Sequence, residues 1–167
     1  MEPVPWNGDG YYYKEEARPG KHPFHEAGVY YIQEASAMLP AVYLDAKPGE
    51  IILDLCAAPG GKSTQIAGAM GGRGILVCNE IHPGRAKILS ENIERMGIRN
   101  AVVTSHEPEI LAERFPGYFD KILVDAPCSG EGMFRKNGEA VFQWSPENVT
   151  MCAKRQKSIL ESASSML

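Results

Sequence analysis

Residues 53–62 read Leu53-Asp54-Leu55-Cys56-Ala57-Ala58-Pro59-Gly60-Gly61-Lys62. An apolar stretch runs into a turn of small residues, and Ser63-Thr64-Gln65-Ile66-Ala67 continues at helical spacing. Residues 51–55 are predicted as a short buried strand. Residues 60–70 are predicted as a helix with Ile66 and Met70 inward, stopped by Gly71-Gly72.

Outward from there the alternation repeats. Residues 74–78 predict a second strand. Between 83 and 96, Ala86, Leu89, Ile93 and Met96 form a helical stripe that Gly97 ends. Residues 100–104 predict a third strand, 109–115 a short helix and 119–124 a fourth strand. Ser145-Pro146-Glu147 opens a last helix with a capping serine, a first-turn proline and an acid. Val149, Cys152, Gln156, Ile159 and Ala163 share one of its faces. Apolar strands alternating with helices predict an α/β fold: a mainly parallel sheet with helices on both faces. Such sheets bind ligands beyond the carboxyl ends of their strands.

Upstream, residues 1–28 are rich in Gly, Pro, His and Tyr and predict little regular structure. Residues 30–39 predict a helix with Ile32, Ala35 and Leu39 on one face, perturbed or ended by Pro40. The expected organisation is a lead-in and helix over 1–45 and the α/β domain over 46–167.

A chain of 167 residues, 44% hydrophobic and 23% charged, suits one domain around one core. No apolar run approaches the ~20 residues needed to cross a bilayer. Met1-Glu2-Pro3-Val4-Pro5-Trp6 lacks the basic and apolar regions of a signal peptide. Cys56, Cys78, Cys128 and Cys152 are far apart and form no CxxC pair. They suit a reducing cytoplasm better than a disulfide framework. No membrane partner and no metal are expected; His22-Pro23-Phe24-His25 lacks further ligands at metal spacing. The net charge of −4 argues against a large phosphate-tracking surface. Two basic clusters stand apart from it, Arg135-Lys136 and Lys154-Arg155-Gln156-Lys157. Each reads equally as a solvated helix face. Tyr11-Tyr12-Tyr13 reads as base-stacking or as ordinary packing.

The loop at 56–62 is not a phosphate loop: Cys56 stands where GxxxxGK[ST] requires its first glycine. Its small residues, Ala57, Ala58, Gly60 and Gly61, allow either close approach of a ligand or simple packing. The following helix start offers N–H groups and partial positive charge to a carboxylate. Glu80, just after the second strand, favours the ligand reading, because an acid there can accept from both hydroxyls of a ribose. Together these describe a site for an adenosyl group with a short polar tail.

The fourth strand leads into Asp125-Ala126-Pro127-Cys128-Ser129-Gly130-Glu131-Gly132. A buried acid is expected at Asp125, and cytosine chemistry gives it a purpose. Carbon 5 of cytosine becomes nucleophilic when a thiolate adds at carbon 6, helped by an acid near N3 or the exocyclic amine. A base must then remove the carbon-5 proton before the thiol leaves. Cys78 and Cys152 fall on apolar faces and read as core residues, and Cys56 as a structural residue of the first turn.

The motifs DLCAAPGGKSTQIA and DAPCSGEGMFRK resemble those of the Sun-type (Nol/Nop/Sun, or Fmu) RNA cytosine-5 methyltransferases, from about Gly28 to the end of the chain. The resemblance implies a Rossmann-like class I methyltransferase fold that uses S-adenosyl-L-methionine and acts on RNA, either rRNA or tRNA. It implies cofactor contacts from Cys56, Ala57, Ala58, Pro59, Gly60, Gly61, Lys62, Glu80 (ribose) and Arg85. Glu107 stands where that family has an aspartate beside the adenine. Asp125 would lie between cofactor and base, and Cys128 would serve proton removal or product release. The family's covalent nucleophile belongs to a Thr-Cys motif on the next strand, which this sequence lacks. The resemblance therefore implies that the last strands are missing, that this piece is inactive, and that its unfinished sheet self-associates. Two alternatives stay open: a non-catalytic module binding S-adenosyl-L-methionine or RNA, and an enzyme using Cys128 itself as nucleophile.

Overall fold

Hydrophobic strands with no polar face must be covered on both sides, and the central sheet shows how. The computed structural model describes residues 1–134, 142 and 144–167. The sheet strands are β3 (Ile51–Asp54), β4 (Ile75–Asn79), β5 (Ala101–Thr104) and β6 (Lys121–Leu123), after an N-terminal hairpin of β1 (Glu2–Val4) and β2 (Asn7–Tyr12). The helices are α1 (Pro23–Glu26), α2 (Leu39–Leu44), α3 (Gly61–Met70), α4 (Pro83–Arg95), α5 (Pro108–Arg114) and α6 (Pro146–Met166).

The sheet order is β5-β4-β3-β6, and all its pairings are parallel. Leu53 sits opposite Val77 on one side and Ile122 on the other. The chain steps outward from β3 through β4 to β5, then returns to the far side of β3 as β6. That reversal opens a crevice between the loops leaving β3 and β6, the usual ligand position in such sheets.

Period-two alternation divides the core. Ile52, Leu76 and Cys78 face Ile66 and Met70 of α3 and Leu89 and Ile93 of α4. Leu53 and Leu55 face Leu111 of α5, Phe119, and Ile159, Ala163 and Met166 of α6. Leu53 is completely buried, so truncation to alanine would cost about 2–5 kcal/mol. Cys78 and Cys152 are buried core residues, as their apolar faces predict. The last helix starts where the sequence places it: the Ser145 hydroxyl accepts from the N–H of Asn148 at 3.2 Å.

Three expectations are corrected. Residues 1–28 hold a hairpin and a short helix rather than irregular chain alone. The helix expected over 30–39 is absent: residues 30–34 are not helical, a 3₁₀ turn spans Ala35–Met38, and α2 begins at Leu39. Pro40 lies in the first turn of that helix, where its missing N–H costs nothing, so it opens a helix rather than ending one. The fourth strand is shorter than expected, Lys121–Leu123 against 119–124.

The lead-in is fastened to α4. Arg95 Nη1 donates to the His25 carbonyl at 2.6 Å, and its guanidinium lies 5.8 Å from the Tyr31 ring centre. Gly28 has φ +71°, and a Cβ there would stand 1.9 Å from the Arg95 carbonyl oxygen. Only glycine fits that crossing.

Candidate functional site

The turn after β3 is held from behind by its carbonyls. Ala58 O accepts from Arg85 Nη2 at 3.0 Å; Pro59 O accepts from Asn92 Nδ2 at 2.9 Å and Tyr31 Oη at 3.3 Å. The Ala57 N–H donates to Asn79 O at 2.8 Å. Gly60 caps α3 at φ +113°, a conformation L side chains rarely adopt. A Cβ at Gly61 would stand 3.0 Å from the Tyr31 ring. The small residues therefore serve packing behind the turn as well as leaving its front open. The first N–H groups of α3 lack helical partners and carry partial positive charge.

Asp54 ends β3 wholly buried and accepts from Ser63 Oγ at 2.7 Å. Burial pushes its carboxyl up to about 6, against the pull of Ser63 and the Lys62 cation; the charge of Asp125 adds to the rise. Burial also pushes the Cys56 thiol up to about 11, helped by the charges of Asp54, Glu80 and Asp125. Cys56 is thus a neutral wall group, unsuited to act as a thiolate at neutral pH.

Glu80 follows β4 and is 3% exposed. Its Oε1 accepts from the His82 N–H at 3.0 Å, and Arg85 Nη2 lies 3.4 Å from Oε2. Both partners leave the carboxylate acceptor capacity for further donors, since two oxygens offer about four lone-pair sites.

A cleft of ≈ 470 Å³ opens beyond the strand ends, within the ~300–1,000 Å³ range of small-molecule sites. It brings together Cys56, Ala58, Glu80, Arg85, Glu107 and Asp125. Ala57, Pro59, Gly60, Gly61 and Lys62 do not line it. Ala57 is buried behind the turn, and Lys62 reaches the site through its ammonium, 2.7 Å from Asp125 Oδ2. Cys128 is exposed one residue beyond Pro127, outside the lining. Glu107 is exposed and precedes α5.

The burial expected at Asp125 is corrected. Its side chain is 55% exposed, because β6 stops at Leu123 and the motif runs out onto the surface as a loop. An exposed carboxylate with a lysine partner needs no special compensation. The loop is braced elsewhere: Gln156 Nε2 of α6 donates to Pro127 O at 3.0 Å. Glu131 accepts from Ser129 Oγ at 2.5 Å and Trp144 Nε1 at 2.7 Å, and these donors hold it below the usual carboxylate range.

Sequence reasoning missed Asn79, His82 and the α6 wall. Asn79 is 1% exposed and lines the cleft, between two residues that were read for other reasons. Arg155 and Ser158 of α6 also line it. Arg155 belongs to the basic cluster read as ambiguous; its neighbour Lys157 instead pairs with Glu161 along the helix. The other basic cluster, Arg135-Lys136, and the end of the second motif lie outside the described residues.

Sheet order, strand-end cleft and helices on both faces define an α/β domain of the Rossmann-like class I methyltransferase type. The chain belongs to the 16S rRNA methyltransferase RsmB/F family, whose model matches residues 41–167. Residues 1–35 match the N-terminal domain of 16S rRNA methyltransferase RsmF. Ribosomal RNA small subunit methyltransferase F of Serratia proteamaculans is 44% identical over 168 residues, covering 98% of this chain and 35% of that protein. The Salmonella newport protein of the same name is 43% identical, with the same coverage. The chain thus spans about a third of the length of these relatives. Among solved structures, NSun6 from Pyrococcus horikoshii with SFG superposes at TM-score 0.78, with 28% identity, 89% of this chain and 38% of that one. A methyltransferase homolog protein from the same organism gives 0.76 at 31% identity, covering 97% of this chain and 50% of that one.

Proposed function

We propose that this chain carries the S-adenosyl-L-methionine site and part of the base site of an enzyme that methylates carbon 5 of a cytosine in 16S rRNA. The carrying observation is the cleft beyond the strand ends, lined together by Glu80, by Cys56 and Ala58 of the small-residue turn, and by Asp125 and Pro127 of the second motif. The relatives' names support the substrate.

S-adenosyl-L-methionine supplies an electrophilic methyl group. Glu80 accepts from the ribose hydroxyls, and Arg85 holds the Glu80 carboxylate and the Ala58 carbonyl in place. Glu107 faces the adenine side. The α3 N-terminus, with Lys62, faces the carboxylate of the methionine part. Asp125, on the cleft lip, meets N3 or the exocyclic amine of the cytosine. Cys128 takes part after attack, at proton removal or product release. The attacking thiol belongs to a Thr-Cys motif elsewhere in the whole protein; the four cysteines here follow Leu55, Val77, Pro127 and Met151. We divide the chain near residue 45, with the α/β domain over 46–167. An rRNA substrate would place the protein in the cytoplasm, where its four thiols stay reduced. No helix among the described residues is long and apolar enough to cross a membrane. Self-association through the open strand edges is the remaining partner proposal.

Calorimetric titration with S-adenosyl-L-homocysteine tests the reading. Wild type should bind, and Glu80→Ala should weaken binding roughly ten- to a hundredfold by removing a charged acceptor. A folded wild type that does not bind, or an unchanged affinity in the variant, would overturn it.

A further inference from the structure

The Asn79 side chain forms four hydrogen bonds while lining the cleft. Its Nδ2 donates to Leu55 O at 3.3 Å and to His106 O at 2.9 Å. Its Oδ1 accepts from Thr104 Oγ1 at 2.9 Å and from the His106 N–H at 3.1 Å. A carboxamide has two donor hydrogens and two acceptor lone pairs, so its capacity is fully used. Its own carbonyl takes the Ala57 N–H. The ends of β3, β4 and β5 therefore meet on one residue, and its partners are the two turns that carry opposite walls of the cleft. On one side stand Leu55, Cys56 and Ala58; on the other Glu107, Pro108 and Glu109. Backbone pairing alone does not join these walls, because β3 and β5 are separated by β4.

We propose that Asn79 is a positioning residue that sets the width of the cofactor cleft by clamping the turn after β3 to the turn after β5. The inference rests on the cofactor reading of this cleft. Asparagine is required there because the clamp needs donors toward two carbonyls and an acceptor toward an N–H and a hydroxyl. Isosteric aspartate keeps the acceptors and, when ionised, loses both donors and points charge at the Leu55 and His106 carbonyls.

The test compares wild type, Asn79→Asp and Asn79→Ser by titration with S-adenosyl-L-homocysteine from pH 5 to 8, with amide hydrogen exchange by NMR on the same samples. Cys56, Glu80, His82, Arg85, Glu107 and Asp125 line the same cleft as Asn79, and His106 bonds it through its backbone, so each affinity is taken relative to wild type at the same pH. Asn79→Asp should bind about tenfold or more weakly at pH 8. It should recover part of that loss toward pH 5, when the carboxyl gains a proton to donate. Asn79→Ser, uncharged and too short to bridge, should show a loss that does not recover on acidification. Exchange at His106 and Ala57 should speed up ahead of the rest of the sheet. Unchanged relative affinity, or a loss in Asn79→Asp equal at every pH, would overturn the proposal, and so would exchange that rises uniformly over the domain. Should Asn79→Asp not fold, Asn79→Ser decides by affinity and by exchange. If wild type takes no adenosyl ligand, the cofactor reading falls. The clamp is then judged on exchange alone: faster exchange confined to the two turns supports it, uniform exchange refutes it.

Discussion

Replacing Asp54 by asparagine should change how the stability of this domain depends on pH. Asp54 is fully buried, and burial lifts its carboxyl from 3.8 to about 6. Between those values the folded protein holds a proton that the unfolded chain has released. Stability therefore falls as pH rises through that window. Below about pH 4 the group is neutral in both states and costs nothing; above about pH 6 the full cost applies. A rise of about 2 units, at ~1.36 kcal/mol per unit, makes that cost roughly 3 kcal/mol. Asparagine keeps an acceptor for the Ser63 hydroxyl and carries no charge. Urea unfolding of wild type and Asp54→Asn should be compared at intervals from pH 4 to 7.5. Taking the difference cancels the other titrating groups, provided they lie far enough away to act independently. Near pH 4 the two proteins should be of similar stability. By pH 7.5 the variant should be ahead by about 3 kcal/mol. A difference that stays flat across the range would show that Asp54 ionises without penalty, through a partner or water path. A cost of that size directly behind the turn after β3 is expected where function rather than stability sets the residue.

Lys62→Met should move the Asp54 transition to higher pH, because the lysine cation favours the ionised carboxyl; the same urea series reads it out. Gly60→Ala places a side chain at φ +113° with its Cβ 3.1 Å from Leu89 Cδ1. A loss of about 1–3 kcal/mol in urea unfolding is expected. With a labelled methyl donor and cytosine-containing RNA, the 167-residue chain should transfer no methyl. In a longer chain carrying the Thr-Cys motif, Cys128→Ala should leave a protein–RNA adduct on a denaturing gel. Transfer by the short chain, abolished in Cys128→Ala without an adduct, would make Cys128 the nucleophile. Light scattering should find the chain self-associated through the outer edge of β6, which pairs with nothing among the described residues; a clean monomer would refute this.

The α/β architecture was legible because its signals are local and repeated. Short apolar strands, three to five residues long in the structure, alternating with helix signals leave few alternatives to a parallel sheet, and Ser145-Pro146-Glu147 marks its helix start by capping chemistry alone. The strand-end position of Glu80 followed from the same counting. The errors share a cause: they concern what a residue meets at long range. Pro40 breaks a helix or opens one depending on the side from which the chain enters, and the entry is set by residues 30–34 running past the α3 start. The exposure of Asp125 depends on where β6 stops pairing with β3, and nothing within the Val124-Asp125-Ala126 stretch encodes that register. The hairpin at 2–12 breaks its alternation with Gly8 and Gly10. A Cβ at Gly10 would stand 3.0 Å from the Met38 sulfur, a tight contact with a residue 28 positions away. Asn79 is the sharpest case. In sequence it is a polar residue at a strand end, as common in turns as in sites. Its role exists only because β3, β4 and β5 end level with one another, so that one carboxamide reaches Leu55 and His106 at once. A motif search finds residues that touch a ligand through a short local pattern. It passes over those whose partners are backbone groups of two other strands, although those partners decide whether the local pattern is held at the right width.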